Sequence, residues 1–199
     1  MTIFACKLMH AIKNDVEQPE PKETKPTVEN PERFSGVFTA ANGDTIEIAA
    51  GKDSIALHRG GLESRMQPVV ETGFACEAPE FQVTGLVFDL EEDKAVRVWA
   101  GEVEYAADPA AGFKPPASAE LSALAGVYQS DDAWNGPISL YARDDGLWIG
   151  NVEKLVKSPA GEWGFDDESS PEKLRFDGIL AGRPHRLLLS GFPYYRRFS

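Results

Sequence analysis

Phe34-Ser35-Gly36-Val37-Phe38 recurs as Leu124-Ala125-Gly126-Val127-Tyr128, at an offset of 90 residues. Three more matches follow in the same order. Ser54-Ile55-Ala56-Leu57 aligns with Gly146-Leu147-Trp148-Ile149 at an offset of 92. Leu86-Val87-Phe88-Asp89 aligns with Leu174-Arg175-Phe176-Asp177 at 88, and Gly101-Glu102-Val103-Glu104-Tyr105 with Gly191-Phe192-Pro193-Tyr194-Tyr195 at 90. Four ordered matches with so little drift mark an internal duplication. A period of this length exceeds the ~20–50 residues of a solenoid or propeller unit. It gives each copy room for roughly seven or eight short strands.

The texture within each copy is that of strands. Thr45–Ala49, Ser54–Leu57, Leu86–Leu90 and Ala95–Trp99 show alternation or β-branched enrichment. Turn signals separate them at Asn42-Gly43, Gly60-Gly61 and Glu91–Asp93. Antiparallel strands with one wet face must hide the other. Either each copy closes into a small up-and-down barrel or the two copies form one larger sandwich. A barrel per copy is preferred, because each copy has its own Gly-aromatic opening strand and Tyr-bearing closing strand. Closure also removes exposed edges. The expected fold class is therefore all-β: two tandem antiparallel barrels, over residues 33–107 and 121–199, joined by a linker at 108–120. Residues 1–32 precede them. Ile3, Phe4, Leu8, Met9 and Ile12 have near-helical spacing, so residues 3–14 read as a short amphipathic helix. The stretch Val16–Glu32, with Pro19, Pro21, Pro26 and Pro31, reads as an extended linker.

Composition narrows the function classes. The chain has 199 residues and a formal net charge of -12, which opposes binding to a phosphate backbone. The acidity is concentrated in the first copy, where Phe34–Tyr105 carries 5 basic and 13 acidic residues against 9 and 11 in Leu124–Ser199. No run approaches the ~18 apolar residues of a membrane-spanning helix. Cys6 and Cys76 form no metal-binding or disulfide pattern. The start MTIFACKLMHAIK lacks the basic region and cleavage site of a secretory signal. Cytoplasmic localisation is favoured, with a periplasmic or secreted one expected if a segment lies upstream.

Several stretches of the second copy carry a family resemblance. These are Gly126-Val127-Tyr128-Gln129-Ser130, Asp145-Gly146-Leu147-Trp148, Ser170-Pro171-Glu172-Lys173-Leu174-Arg175-Phe176-Asp177 and Leu189-Ser190-Gly191-Phe192-Pro193-Tyr194-Tyr195-Arg196. They resemble the C-terminal region of β-lactamase-related serine hydrolases, a family of esterases, D-aminopeptidases and penicillin-binding-protein relatives. Many members carry lipocalin-like barrels after the catalytic domain, joined by a Pro-rich linker. The resemblance implies two lipocalin-like barrels and a non-catalytic accessory module that packs on or gates a hydrolase domain, in cis or in trans. An alternative is a stand-alone lipocalin-like carrier of small hydrophobic ligands.

The catalytic set of that family does not carry over. It needs a Ser one helical turn from a Lys, with a proton-relaying Tyr or Ser and a Lys or His beside a Gly. Ser170-Pro171-Glu172-Lys173 has the spelling but lies in an acidic turn leading into a strand. Ser130-Asp131-Asp132 is a turn, and His58-Arg59-Gly60 comes in the wrong order. No catalytic, metal or cofactor residues are assigned. His10, His58 and His185 are dispersed, and the acidic pairs fall at turn-like positions without a calcium-loop pattern. The candidate ligand-binding or domain-packing residues are the aromatics Trp99, Tyr105, Trp148, Tyr194 and Tyr195.

Overall fold

The computed structural model describes Lys13 and residues 26–82, 84–132, 134–144, 146–165 and 170–197. The expected helix over residues 3–14 lies outside the described residues except for Lys13, which is helical and exposed. Cys6 and His10 lie outside them too. Among the described residues from 26 onward, Val28 is the first to be buried. Its N–H donates to Asp53 O at 3.0 Å. Pro31 is also buried, so the first barrel recruits residues from within the stretch read as linker.

Two closed eight-stranded antiparallel barrels follow, one per copy, rather than a single sandwich. The first contains β1 (Gly36–Ala40), β2 (Thr45–Ala50), β3 (Ile55–Arg59), β4 (Leu62–Val70), β5 (Gly73–Cys76), β6 (Leu86–Glu91), β7 (Lys94–Ala100) and β8 (Val103–Ala106). The second contains β9 (Gly126–Gln129), β10 (Ile138–Arg143), β11 (Gly146–Ile149), β12 (Glu153–Lys157), β13 (Trp163–Phe165), β14 (Lys173–Leu180), β15 (Arg183–Leu189) and β16 (Phe192–Arg196). Strands pair in chain order, and each barrel closes through its first and last strands. Thr39 and Ala40 face Ala106 and Tyr105 in one barrel; Tyr128 and Gln129 face Arg196 and Tyr195 in the other.

The pairing registers superpose the copies residue by residue. Phe38 answers to Tyr128, Ile55 to Leu147, Phe74 to Trp163, Leu86 to Leu174 and Val98 to Leu187. All ten of these side chains are buried, as the inward half of a period-2 pattern must be. The last sequence match needs a correction. Val98 faces Tyr105 and Leu187 faces Tyr194, so Tyr105 answers to Tyr194 at an offset of 89, not to Tyr195. One residue of slip exchanges the two faces of a strand. Tyr194 is accordingly buried, and Tyr195 stands on the outer face beside His185.

Each barrel is filled by its own side chains. In the first, Phe34, Phe38, Phe74 and Phe88 meet edge to face with centroids 4.9–6.2 Å apart. Such pairs add about 0.5–1.5 kcal/mol each beyond the area they bury. Phe34 comes from a 3-10 turn, Pro31–Phe34, that plugs the barrel end where β1 begins. The second barrel is plugged by a short helix, α1 (Ala119–Leu124), whose Leu121 and Leu124 pack on the core. Ser118 caps it, its Oγ accepting from Leu121 N at 3.2 Å. Tyr128 and Arg196 hold its other end. Tyr128 Oη donates to Leu124 O, while Arg196 donates to Ala123 O and Ala125 O.

Candidate functional site

The two barrels dock along a seam. Its core is the turn between β7 and β8 (Gly101, Glu102) set against the end of β10 and the turn after β11. Arg143, at the end of β10, is 3% exposed. Its Nε donates to Gly101 O at 2.7 Å across the seam, and Nη2 donates to Asn151 O at 3.0 Å within its own barrel. The guanidinium lies between two indoles, 5.3 Å from the Trp99 centroid and 5.0 Å from that of Trp148. Burial pulls its pKa down to about 10, against the favourable fields of Asp89, Tyr141 and Glu102. It therefore still carries its charge at neutral pH. Trp99 is fixed in turn by donating Nε1–H to Asp89 Oδ2 at 2.9 Å.

Further contacts tighten this joint. Asn151, fully buried with a left-handed φ of 68°, donates from Nδ2 to Gly85 O and Trp99 O across the seam. Glu102 accepts from Ala142 N at 3.0 Å. Two glycines permit the close approach. A Cβ on Gly101, whose φ is +62°, would meet Tyr141 Cε1 at 3.0 Å, and one on Gly73 would meet Val152 Cγ1 at 2.9 Å. The linker is tied to both barrels: Lys114 N donates to the buried Glu104 at 2.7 Å, and Lys114 Nζ pairs with Asp144 at 3.1 Å.

Two cavities flank the Gly101–Glu102 turn. One of about 330 Å³ is lined by Trp99, Glu104, Phe113, Lys114, Arg143 and Asp144. A larger groove of about 540 Å³ is lined by Val103, Val127, Leu140, Tyr141, Arg183 and Arg196, among others. Both lie outside the barrels.

Of the five aromatics singled out from sequence, the seam brings together Trp99 and Trp148. Tyr105 and Tyr194 are core residues of separate barrels, and Tyr195 lies on a surface. Tyr105 also anchors a polar cluster at one barrel end. Its hydroxyl donates to Asp44 Oδ2 at 2.9 Å, to which Arg59 also donates at 2.7 Å. Burial, followed by the Asp44 contact, pushes the Tyr105 phenol up to about 12. Burial works against Asp44, but the hydrogen bonds from Tyr105 and Arg59 outweigh it and hold that carboxyl below its usual range. Arg59 closes the cluster by pairing with Glu80 and lying over the Phe81 ring.

The residues screened for hydrolase chemistry are set apart. Ser170 Oγ accepts from Glu172 N in a turn, and Lys173 is an exposed residue at the start of β14. Ser130 accepts from Asp132 N. Among the described residues, no three His, Cys, Asp or Glu side chains gather as metal ligands, and no helix is long and apolar enough to cross a membrane. Arg143 and Asn151 escaped sequence reasoning. The left-handed turn at Gly150-Asn151 was the available signal, but nothing in it points to a partner in the other copy. No family model matches the chain, and no curated protein matches it significantly.

Proposed function

We propose that the chain is a non-catalytic accessory module, two lipocalin-like barrels that pack on or gate the catalytic domain of a β-lactamase-related serine hydrolase, in cis or in trans. The observation that carries this reading is that both barrels are filled by their own side chains and clamped to each other through Arg143. A rigid two-barrel body suits a positioning role. The exposed turn and strand around Ser170 and Lys173 offer no buried, helix-held pair to activate a nucleophile. The alternative, a carrier of small apolar ligands, needs an open chamber, and the cavities described lie between the barrels instead.

The test adds the chain to a hydrolase domain encoded beside it and measures that domain's kcat/KM and thermal midpoint. Under the proposal, one or both change saturably. Unchanged values would count against it. So would turnover of a p-nitrophenyl ester by the chain alone that disappears in Ser170→Ala.

A further inference from the structure

We infer that the larger groove at the seam binds a small amphipathic carboxylate, its head on Arg183 and Arg196 and its apolar body along Val103, Val127 and the ring of Tyr141. The inference is independent of the accessory role. Charge is the first argument. On a chain of net charge -12, this groove is lined by two arginines and one acidic residue, Glu102, which already accepts from Ala142 N.

Arg196 is 8% exposed, yet its guanidinium donates only to backbone carbonyls of Ala123, Ala125 and Pro184 and lies over the Tyr128 ring. Among the described residues, neither Arg196 nor Arg183 makes an ion pair. A buried cation held by neutral acceptors is left without a counter-charge, and a nearby anion is stabilised in a site of reduced dielectric. The balance of two positive and one negative group suits a monoanion better than a dianionic phosphate. A guanidinium fork matches a carboxylate in geometry as well.

Shape is the second argument. At about 540 Å³ the groove falls within the ~300–1,000 Å³ of small-molecule sites. Its walls are apolar strand residues, with Val103 46% exposed, and hydroxyls are available from Ser122 and Tyr141. The groove is formed by both barrels, so it exists only while the seam is closed.

The test is titration of the full chain with octanoate, below its micellar range, followed by calorimetry and amide NMR. Octylammonium serves as the opposite-charge control. The expected result is saturable octanoate binding with shifts at Val103, Val127 and Tyr141, and no such binding of octylammonium. Arg183→Glu, at an exposed hairpin position, should weaken binding roughly tenfold or more. Ser122→Trp, on the exposed face of α1, should fill the groove and abolish binding; it decides the matter if Arg183→Glu fails to fold. Absent octanoate binding, equal binding of octylammonium, or unchanged affinity in a folded Arg183→Glu or Ser122→Trp protein would overturn the inference.

Discussion

Replacing Arg143 by Met keeps most of the aliphatic bulk between Trp99 and Trp148 and removes the guanidinium. Two hydrogen bonds from a charged donor, to Gly101 O at 2.7 Å and Asn151 O at 3.0 Å, are lost. Each is worth about 1.5–3 kcal/mol net. The contacts with the two indoles add roughly 0.5–2 kcal/mol apiece. Working the other way, burial lowers the arginine pKa from 12.5 to about 10, so discharging the seam returns roughly 3 kcal/mol. The balance is a loss of about 4 kcal/mol, within a span of roughly 1–7, localised where the barrels meet. Urea unfolding followed by fluorine NMR of 5-fluorotryptophan protein resolves this. Trp99 and Trp148 report the seam, Trp163 the second core and Trp134, 95% exposed, the solvent. The variant should shift the Trp99 and Trp148 resonances in the folded state and lower the midpoint. An unchanged midpoint, with both seam resonances in place, would refute the claim that Arg143 clamps the barrels.

Three further outcomes are expected. Burial pushes the phenols of Tyr105 and Tyr128 up from 10.0 to about 12, so the folded chain keeps protons that the unfolded chain releases. Their contribution is complete below pH of about 10 and is lost as pH rises through about 12; Arg143 has the opposite sign there, but it is one group against two. Urea midpoints should fall over that window, whereas in Tyr105→Phe, where Arg143 offsets the one remaining phenol, the fall should disappear or reverse; a flat profile in the unmodified chain would contradict the assignment. Gly73→Ala, whose methyl would meet Val70 Cγ2 at 2.7 Å and Val152 Cγ1 at 2.9 Å, should cost about 1–3 kcal/mol in thermal unfolding, because the seam must open to admit it. Glu104→Ala leaves the Lys114 N–H without its acceptor and Arg97 with only its longer contact to Glu91, at 3.5 Å. It should cost about 1–3 kcal/mol and speed proteolysis within residues 107–117; a cleavage rate equal to that of the unmodified chain would show the linker is held by other contacts.

The barrels were legible in the sequence because their determinants are local. Gly36 and Gly126 precede aromatics at matched positions, and the alternation in Thr45–Ala49 points Ile46 and Ile48 to one face, which the structure buries. Matching by residue letter erred where the letter repeats: Tyr194 and Tyr195 are adjacent, and only the pairing register separates the inward from the outward ring. Helix α1 is hard to see in the sequence because its six residues straddle the Pro-rich linker and the start of the second copy. The seam was illegible for a different reason. Arg143, Asn151 and Gly101 are far apart along the chain and belong to different copies. Their juxtaposition follows from how two finished barrels dock, and no periodicity within either one encodes it.

Because β1 pairs with β8 and β9 with β16, neither half leaves a bare strand flank along which another polypeptide could line up its backbone. Recognition by adding a strand to either barrel is thereby denied. Whatever it meets must be engaged through side chains and loops, such as the eight residues between β9 and β10 that thrust Trp134 into solvent where the first copy makes only a four-residue bend.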